Sequence, residues 1–197
     1  MNKYEEKSAQ TKAKLCDAFM ELYRQKSIEH ISIKEITTLT GCNRATFYLH
    51  FLDIYDLLEK IENELLTKIK SNAADAVAIT DSTDILSPAL YFKLILEFYN
   101  DNEKYFSVLM GKDVRFVQAL KEIIRPALFE RLNDKSTVSE AEMEYIIEYQ
   151  ISAVIGVLNL WVARDRDISV EKMTQIIVQI SSGGVLPMVQ GKIKEQM

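Results

Sequence analysis

Between Gly41 and Phe51 the chain reads GCNRATFYLHF. About two turns of helix there carry an Arg guanidinium, a Tyr phenol, a His imidazole, a Thr hydroxyl and an Asn amide. These are hydrogen-bond donors without a nucleophile–base pair, and they suit an anionic polymer better than a reacting bond. Arg44 can clamp a phosphate or read guanine, and Thr46 can contact either. Ala45 and the Thr46 methyl can touch a thymine methyl. Tyr48 and His50 can donate to phosphate oxygens. Catalysis is not expected. The two histidines, His30 and His50, both lie in this N-terminal part, and the chain has no HExxH, no phosphate-binding glycine loop and no nucleophile elbow. Cys16 and Cys42 have no metal-ligand or CxxC spacing, so neither metal nor cofactor is expected, and a reduced, cytoplasmic setting follows.

Helices must position these groups. Three prolines and six glycines leave most of the 197 residues free of breakers, and strand-like alternation is scarce, so the fold class is all-α. A first helix is expected over about 8–27, with Leu15, Ala18, Phe19 and Leu22 on one face. Ser32-Ile33-Lys34-Glu35 is a capping box that opens a second helix, which Gly41 ends. Asn43 caps a third helix, in which Phe47 and Phe51 share a face and anchor it. Two short helices around the turn Thr40-Gly41-Cys42 make a helix-turn-helix, whose second helix lies in the DNA major groove. Asp53 caps a long fourth helix over about 54–79. Further on, the loop Asp81–Asp84 marks a break and Ser87-Pro88 opens a helix. An amphipathic tract over 101–134 is interrupted or kinked at Pro126. Capped helices follow over about 139–164 and 169–182.

Net charge is −5, yet residues 1–51 hold eight Lys and Arg against six Asp and Glu. That balance of +2 leaves −7 for the remainder and permits a DNA-facing N-terminal part. The start, MNKYEEKSAQTK, is polar and carries no apolar h-region, so no secretory signal is expected. The uncharged run Tyr149–Ala163 is too short to span a bilayer, and glycines and a proline break the run Thr174–Gly191, so no membrane is expected as a partner.

The segment ISIKEITTLTGCNRATFYLHFLDIYDLL, Ile31 to Leu58, resembles the TetR family of transcriptional regulators. The resemblance rests on Ser32, Ile36, Gly41, Asn43, Phe47-Tyr48-Leu49-His50-Phe51 and Leu57-Leu58. It implies a three-helix DNA-binding domain over 1–51 and a helical domain over 52–197 that binds a small ligand and dimerises. It also implies binding to a palindromic DNA operator as a homodimer, most often in repression. Ser32, Tyr48 and His50 would contact phosphates, while Arg44, Ala45 and Thr46 would face the groove, with Asn43 as cap. Three departures stand out: Ile54 replaces a frequent lysine, Thr37 and Thr40 replace alanines, and Arg44 is the one formal charge of the recognition helix.

In the second domain the last two helices would form the dimer interface through Gly156, Leu158, Trp161, Val162, Ile176 and Ile180. Gly156 is costly in mid-helix unless another helix crosses closely there. An unknown small-molecule effector would sit among Tyr91, Phe98, Tyr105, Phe106, Tyr145 and Tyr149, with Phe92, Tyr99, Met110 and Phe116 as further candidate lining residues. An alternative is an activator or interaction module that works through a protein partner. The ATFYLHFLDIYDLL segment is similar to the branch that includes activators of dihydroxyacetone kinase operons.

Overall fold

A computed structural model describes residues 3–78, 98–99, 101–133 and 136–184. The loop expected at Asp81–Asp84, the helix start at Ser87-Pro88, and Tyr91 and Phe92 lie outside the described residues. Every regular element described is helical, and the chain divides into two compact units, 1–65 and 66–197.

The first unit holds α1 (Lys3–Gln25), a 3-10 turn (Ile28–His30), α2 (Ile33–Thr40), α3 (Arg44–Tyr48) and the start of α4 (Ile54–Ala78). α1 begins five residues earlier than its apolar face suggests, since Lys3–Gln10 adds polar helix without burial. The core is built from Leu15, Phe19, Ile36, Phe47, Phe51, Leu57 and Leu58, all essentially inaccessible to solvent. Ile61 and Leu65 of α4 are also buried, and Glu64 of α4 pairs with Lys12 of α1. The compact unit therefore runs past Phe51, where the sequence places a domain boundary, to Leu65.

The second unit contains α5 (Glu103–Lys112), α6 (Val114–Asn133), α7 (Glu140–Ala163) and α8 (Val170–Gly183). The tract over 101–134, expected to be interrupted or kinked at Pro126, divides elsewhere. It breaks at Asp113, whose Oδ1 accepts from the backbone amides of Arg115 and Phe116 at 2.9 and 3.0 Å and so caps α6. Pro126 is solvent-exposed inside the continuous α6. Ser139 and Glu142 form the expected capping box of α7, and Ser169 caps α8.

Two apolar clusters hold this unit. Leu128 and Leu132 of α6 pack with Met143, Ile146, Ile147 and Ile151 of α7. Tyr99, Phe106, Phe116 and Trp161 make a ring cluster, with centroid separations of 5.1 Å for Tyr99–Phe106 and 5.7 Å for Phe106–Phe116. Burying each such ring contributes about 1.5–3 kcal/mol. A buried hydrogen bond from Gln150 Nε2 to Ser181 Oγ, 2.9 Å, joins α7 to α8. Among the described residues α7 is the one helix long and apolar enough to cross a membrane by length and composition, and 33% of that stretch is buried.

Glu148 of α7 accepts from both Lys121 and Arg125 of α6. The hydrogen bond from Lys121, then that from Ser152, holds its carboxyl at about 2. A depressed carboxylate stabilises fully above its ordinary pKa of 4.5 and loses that contribution as pH falls towards 2. Glu148→Gln should therefore lower the urea midpoint at about pH 7 but have little effect at about pH 2. An equal loss at both pH values would contradict the clamp.

Candidate nucleic-acid interface

The helix-turn-helix is assembled by local chemistry. The Ser32 hydroxyl accepts from the Glu35 amide at 3.3 Å, and Glu35 Oε2 accepts from Ser32 N at 3.0 Å. Lys26 Nζ donates to the other Glu35 oxygen at 2.6 Å. Lys26 first, then Ser32, hold the Glu35 carboxyl at about 2. α2 closes at Gly41, whose φ of 67° is left-handed and open to glycine at little steric cost. The two unusual threonines are absorbed by their own helix. Thr37 Oγ1 donates to Ile33 O at 2.9 Å and Thr40 Oγ1 to Ile36 O at 3.0 Å, so the buried Thr37 hydroxyl carries no unmatched donor.

Asn43 Oδ1 accepts from the Thr46 amide at 2.7 Å and from the Thr46 hydroxyl at 2.9 Å. Phe47 is fully buried, edge-on to Tyr48 at 5.7 Å and tilted against Phe51 at 5.5 Å. Arg44 and Ala45 are exposed, Thr46 is half-buried, and more than half of Tyr48 faces solvent. Ser32, Asn43 and Thr46 spend hydroxyl or amide groups on the caps, whereas Arg44 and Tyr48 are exposed beside the buried Phe47 anchor.

His50 is half-buried below α3. Burial, then Lys12, then Lys60, push its pKa below the ordinary value. The neutral imidazole is thus favoured at neutral pH. Lys60 Nζ donates to the His50 carbonyl at 3.0 Å and lies 5.4 Å from the Phe51 ring centre. Sequence reading missed this basic surround of His50, because Lys12 and Lys60 are brought to it only by the packing of α1 and α4.

Elsewhere the placements are mixed. Leu158 and Trp161, expected at a dimer interface, are 3% and 2% exposed and belong to the protomer's own core; Trp161 Nε1 donates to Ile168 O at 2.9 Å. Val162 and Ile176 are half-buried, and Ile180 is exposed. Among the described residues no helix crosses closely at Gly156, since a Cβ built there would meet nothing within 4 Å. Tyr145 and Tyr149, expected at an interior ligand site, are 80% and 61% exposed. They stand on the outward side of α7, opposite Met143, Ile147 and Ile151. Phe106 is buried, and Phe98 and Tyr105 are half-buried. Among the described residues no group of three or more His, Cys, Asp and Glu is placed to hold a metal ion.

Comparisons with known proteins agree with this architecture. A TetR family model, described as the C-terminal region of transcriptional regulators, matches residues 87–183. An uncharacterised HTH-type transcriptional regulator of Bacillus subtilis (strain 168), YxbF, is 21% identical over 171 residues, or 86% of this chain. The chain spans 44% of the length of that relative. A TetR transcriptional regulator from Streptococcus agalactiae has a similar fold, with a TM-score of 0.62 at 18% identity over 90% of this chain and 96% of its own. The dihydroxyacetone kinase operon activator DhaS superposes with a TM-score of 0.56 at 19% identity, covering 91% of this chain and 96% of its own. With a helix-turn-helix in its first unit and this C-terminal match over residues 87–183 in its second, the chain is similar to the TetR family of transcriptional regulators in both units.

Proposed function

We propose that the chain is a ligand-responsive repressor that binds a palindromic DNA operator as a homodimer in the cytoplasm. The observation that carries this reading is the recognition helix itself: Phe47 is sunk in the core while Arg44, Ala45 and Tyr48 face outward on the same five residues. Arg44 and the groove-facing Ala45 and Thr46 read base edges. Tyr48 and His50 take phosphate oxygens, and Ser32 and Asn43 hold the two helix starts at the DNA backbone. With one formal charge on the helix, affinity draws less on counterion release than is usual.

Dimerisation is assigned to α7 and α8, with one revision to the contact set. Tyr145, Tyr149, Ser152, Gly156, Leu160 and Ala163 are all exposed and recur every three or four residues, which puts them on one stripe of α7. Gly156 sits in that stripe and lets a second copy's helix approach closely. Ile180 of α8 is the exposed apolar residue of the next helix. Effector binding in the second unit would act on operator affinity to the extent that the ligand binds the two conformations differently.

A second reading has its own observation. Leu39, Leu49 and Leu52 of the reading unit are largely exposed, with Leu49 and Leu52 just past the C-terminal end of the weakly charged recognition helix. Apolar groups so placed favour a protein partner, and the fold likeness extends to an operon activator. An activator that works through such a partner is the alternative.

Fluorescence anisotropy on the DNA flanking its own gene tests the main reading. Selective binding over random DNA is expected, with Arg44→Ala costing about 1–3 kcal/mol and lowering the salt slope by about one. Tyr48→Phe should weaken binding about tenfold on all sequences. Selectivity and affinity unchanged in both variants would contradict the assignment. Because His50 is held neutral in the free protein, a phosphate beside it should raise its pKa and draw in a proton on binding. Affinity should then rise as pH falls towards and below about 6.5, and His50→Gln should flatten that rise. A pH profile that His50→Gln leaves intact would remove His50 from the interface. Leu160→Glu should give a folded monomer by sedimentation, with weaker operator binding. A dimer that survives this change would place the interface elsewhere.

A further inference from the structure

Tyr99 is 1% exposed, and its hydroxyl has no hydrogen-bond partner among the described residues. A buried hydroxyl left unmatched weakens folding by on the order of 10- to 100-fold in the equilibrium constant, and phenylalanine would fill the same shape without that cost. The ring that carries this hydroxyl is packed among other aromatic rings. Its ring is edge-on to Phe106 at 5.1 Å and tilted to Trp161 at 6.4 Å, and Phe98 and Phe116 are edge-on to Phe106 at 6.0 and 5.7 Å. The Trp161 N–H is already satisfied by Ile168 O, so that ring offers apolar surface only. Burial, then the charge of Glu103, keep the Tyr99 phenol at about 12, which leaves it a donor throughout the physiological range.

The charged groups nearby are paired. Arg166 Nη2 donates to Glu103 Oε1 at 2.9 Å. Arg166 is held for this by a strained loop: Asp165 and Arg166 both take left-handed φ values, 52° and 56°, and Arg166 N donates to Trp161 O at 2.9 Å. Two successive non-glycine residues in that region persist only where the surroundings enforce them. The Glu103 charge is thus cancelled at the edge of the ring cluster, and an ionic ligand would meet no unpaired counter-charge among these groups.

We propose that Tyr99 is the hydrogen-bond donor to the effector, and that the effector is a neutral aromatic molecule with one acceptor oxygen, packed against Phe106 and Trp161. This rests on the reading of the second unit as ligand-binding, and it specifies the chemistry of that ligand. Aromatic edges and faces suit the edge-on ring geometry already present, and a carbonyl oxygen matches the donor left unmatched among the described residues.

Acetophenone, ethylbenzene and benzoate form the probe set for the full-length protein: ring with acceptor, ring alone, and ring with charge. Trp161 is the sole tryptophan and touches Tyr99, so its emission reports occupancy, with thermal melting as the second readout. Acetophenone is expected to bind about tenfold tighter than ethylbenzene, and benzoate weakest. Tyr99→Phe should make acetophenone and ethylbenzene equivalent while raising the melting temperature of the free protein. The proposal is overturned if the preference for acetophenone survives in Tyr99→Phe, if that variant melts lower than the parent, if benzoate binds best, or if no probe binds. Operator anisotropy in parallel separates the two levels. Operator binding released by benzoate but not by acetophenone would leave the ligand-responsive reading standing and reject this one.

Discussion

Everything the reading head presents depends on the burial of Phe47. α3 is five residues long, far below the length at which a helix persists in water, so its own backbone hydrogen bonds cannot hold it. What holds it is the aromatic ring beneath it, locked against Phe51 and supported by Leu57 and Leu58 from α4. Removing a buried phenylalanine costs about 3–5 kcal/mol, more than any cap in this unit contributes. The caps do a different job: Gly41 sets the turn, and Asn43 with Thr46 fixes where the third helix begins. Direction comes from the caps and adhesion from the core, and the outward aim of Arg44 and Tyr48 follows from both.

The second unit works under a different constraint, because α7 must serve two faces. Met143, Ile147 and Ile151 bury one face against α6, and the Glu148 carboxylate fastens the same pair of helices from the solvent side. The other face keeps two tyrosines, a leucine, an alanine and a glycine in the open. That division explains why the helix is apolar along most of its length although a third of its apolar stretch is buried in the protomer. Among the described residues α6, α8 and the ring cluster cover part of α7, and the stripe through Tyr145, Gly156 and Leu160 stays exposed.

The local features were legible in the sequence. Capping boxes at Ser32 and Ser139, the αL residue at Gly41 and the anchoring pair Phe47 and Phe51 are chemistry between residues a few positions apart, which a linear reading can see. The misreadings are of another kind. Leu158 and Trp161 show the same helical spacing whether their burial comes from this protomer or a second copy, and periodicity does not distinguish the two. Tyr145 and Tyr149 read as interior because they are aromatic, yet one helical face decides their exposure. Asp113 ends one helix and caps the next with a single side chain, a weaker signal than the proline that proved tolerable at Pro126. Lys12 and Lys60 beside His50, and the ion pair from Arg166 to Glu103, are products of packing and leave no local trace.

The central claim is that the exposed side of α3 is the surface that meets DNA. Hydrogen–deuterium exchange, with and without a fragment of the DNA flanking its own gene, tests this most directly. Peptides covering 32–50 should gain protection on adding DNA, and those covering 143–151 should not change. Protection confined to the second unit, or none on 32–50 while the DNA is bound, would contradict it.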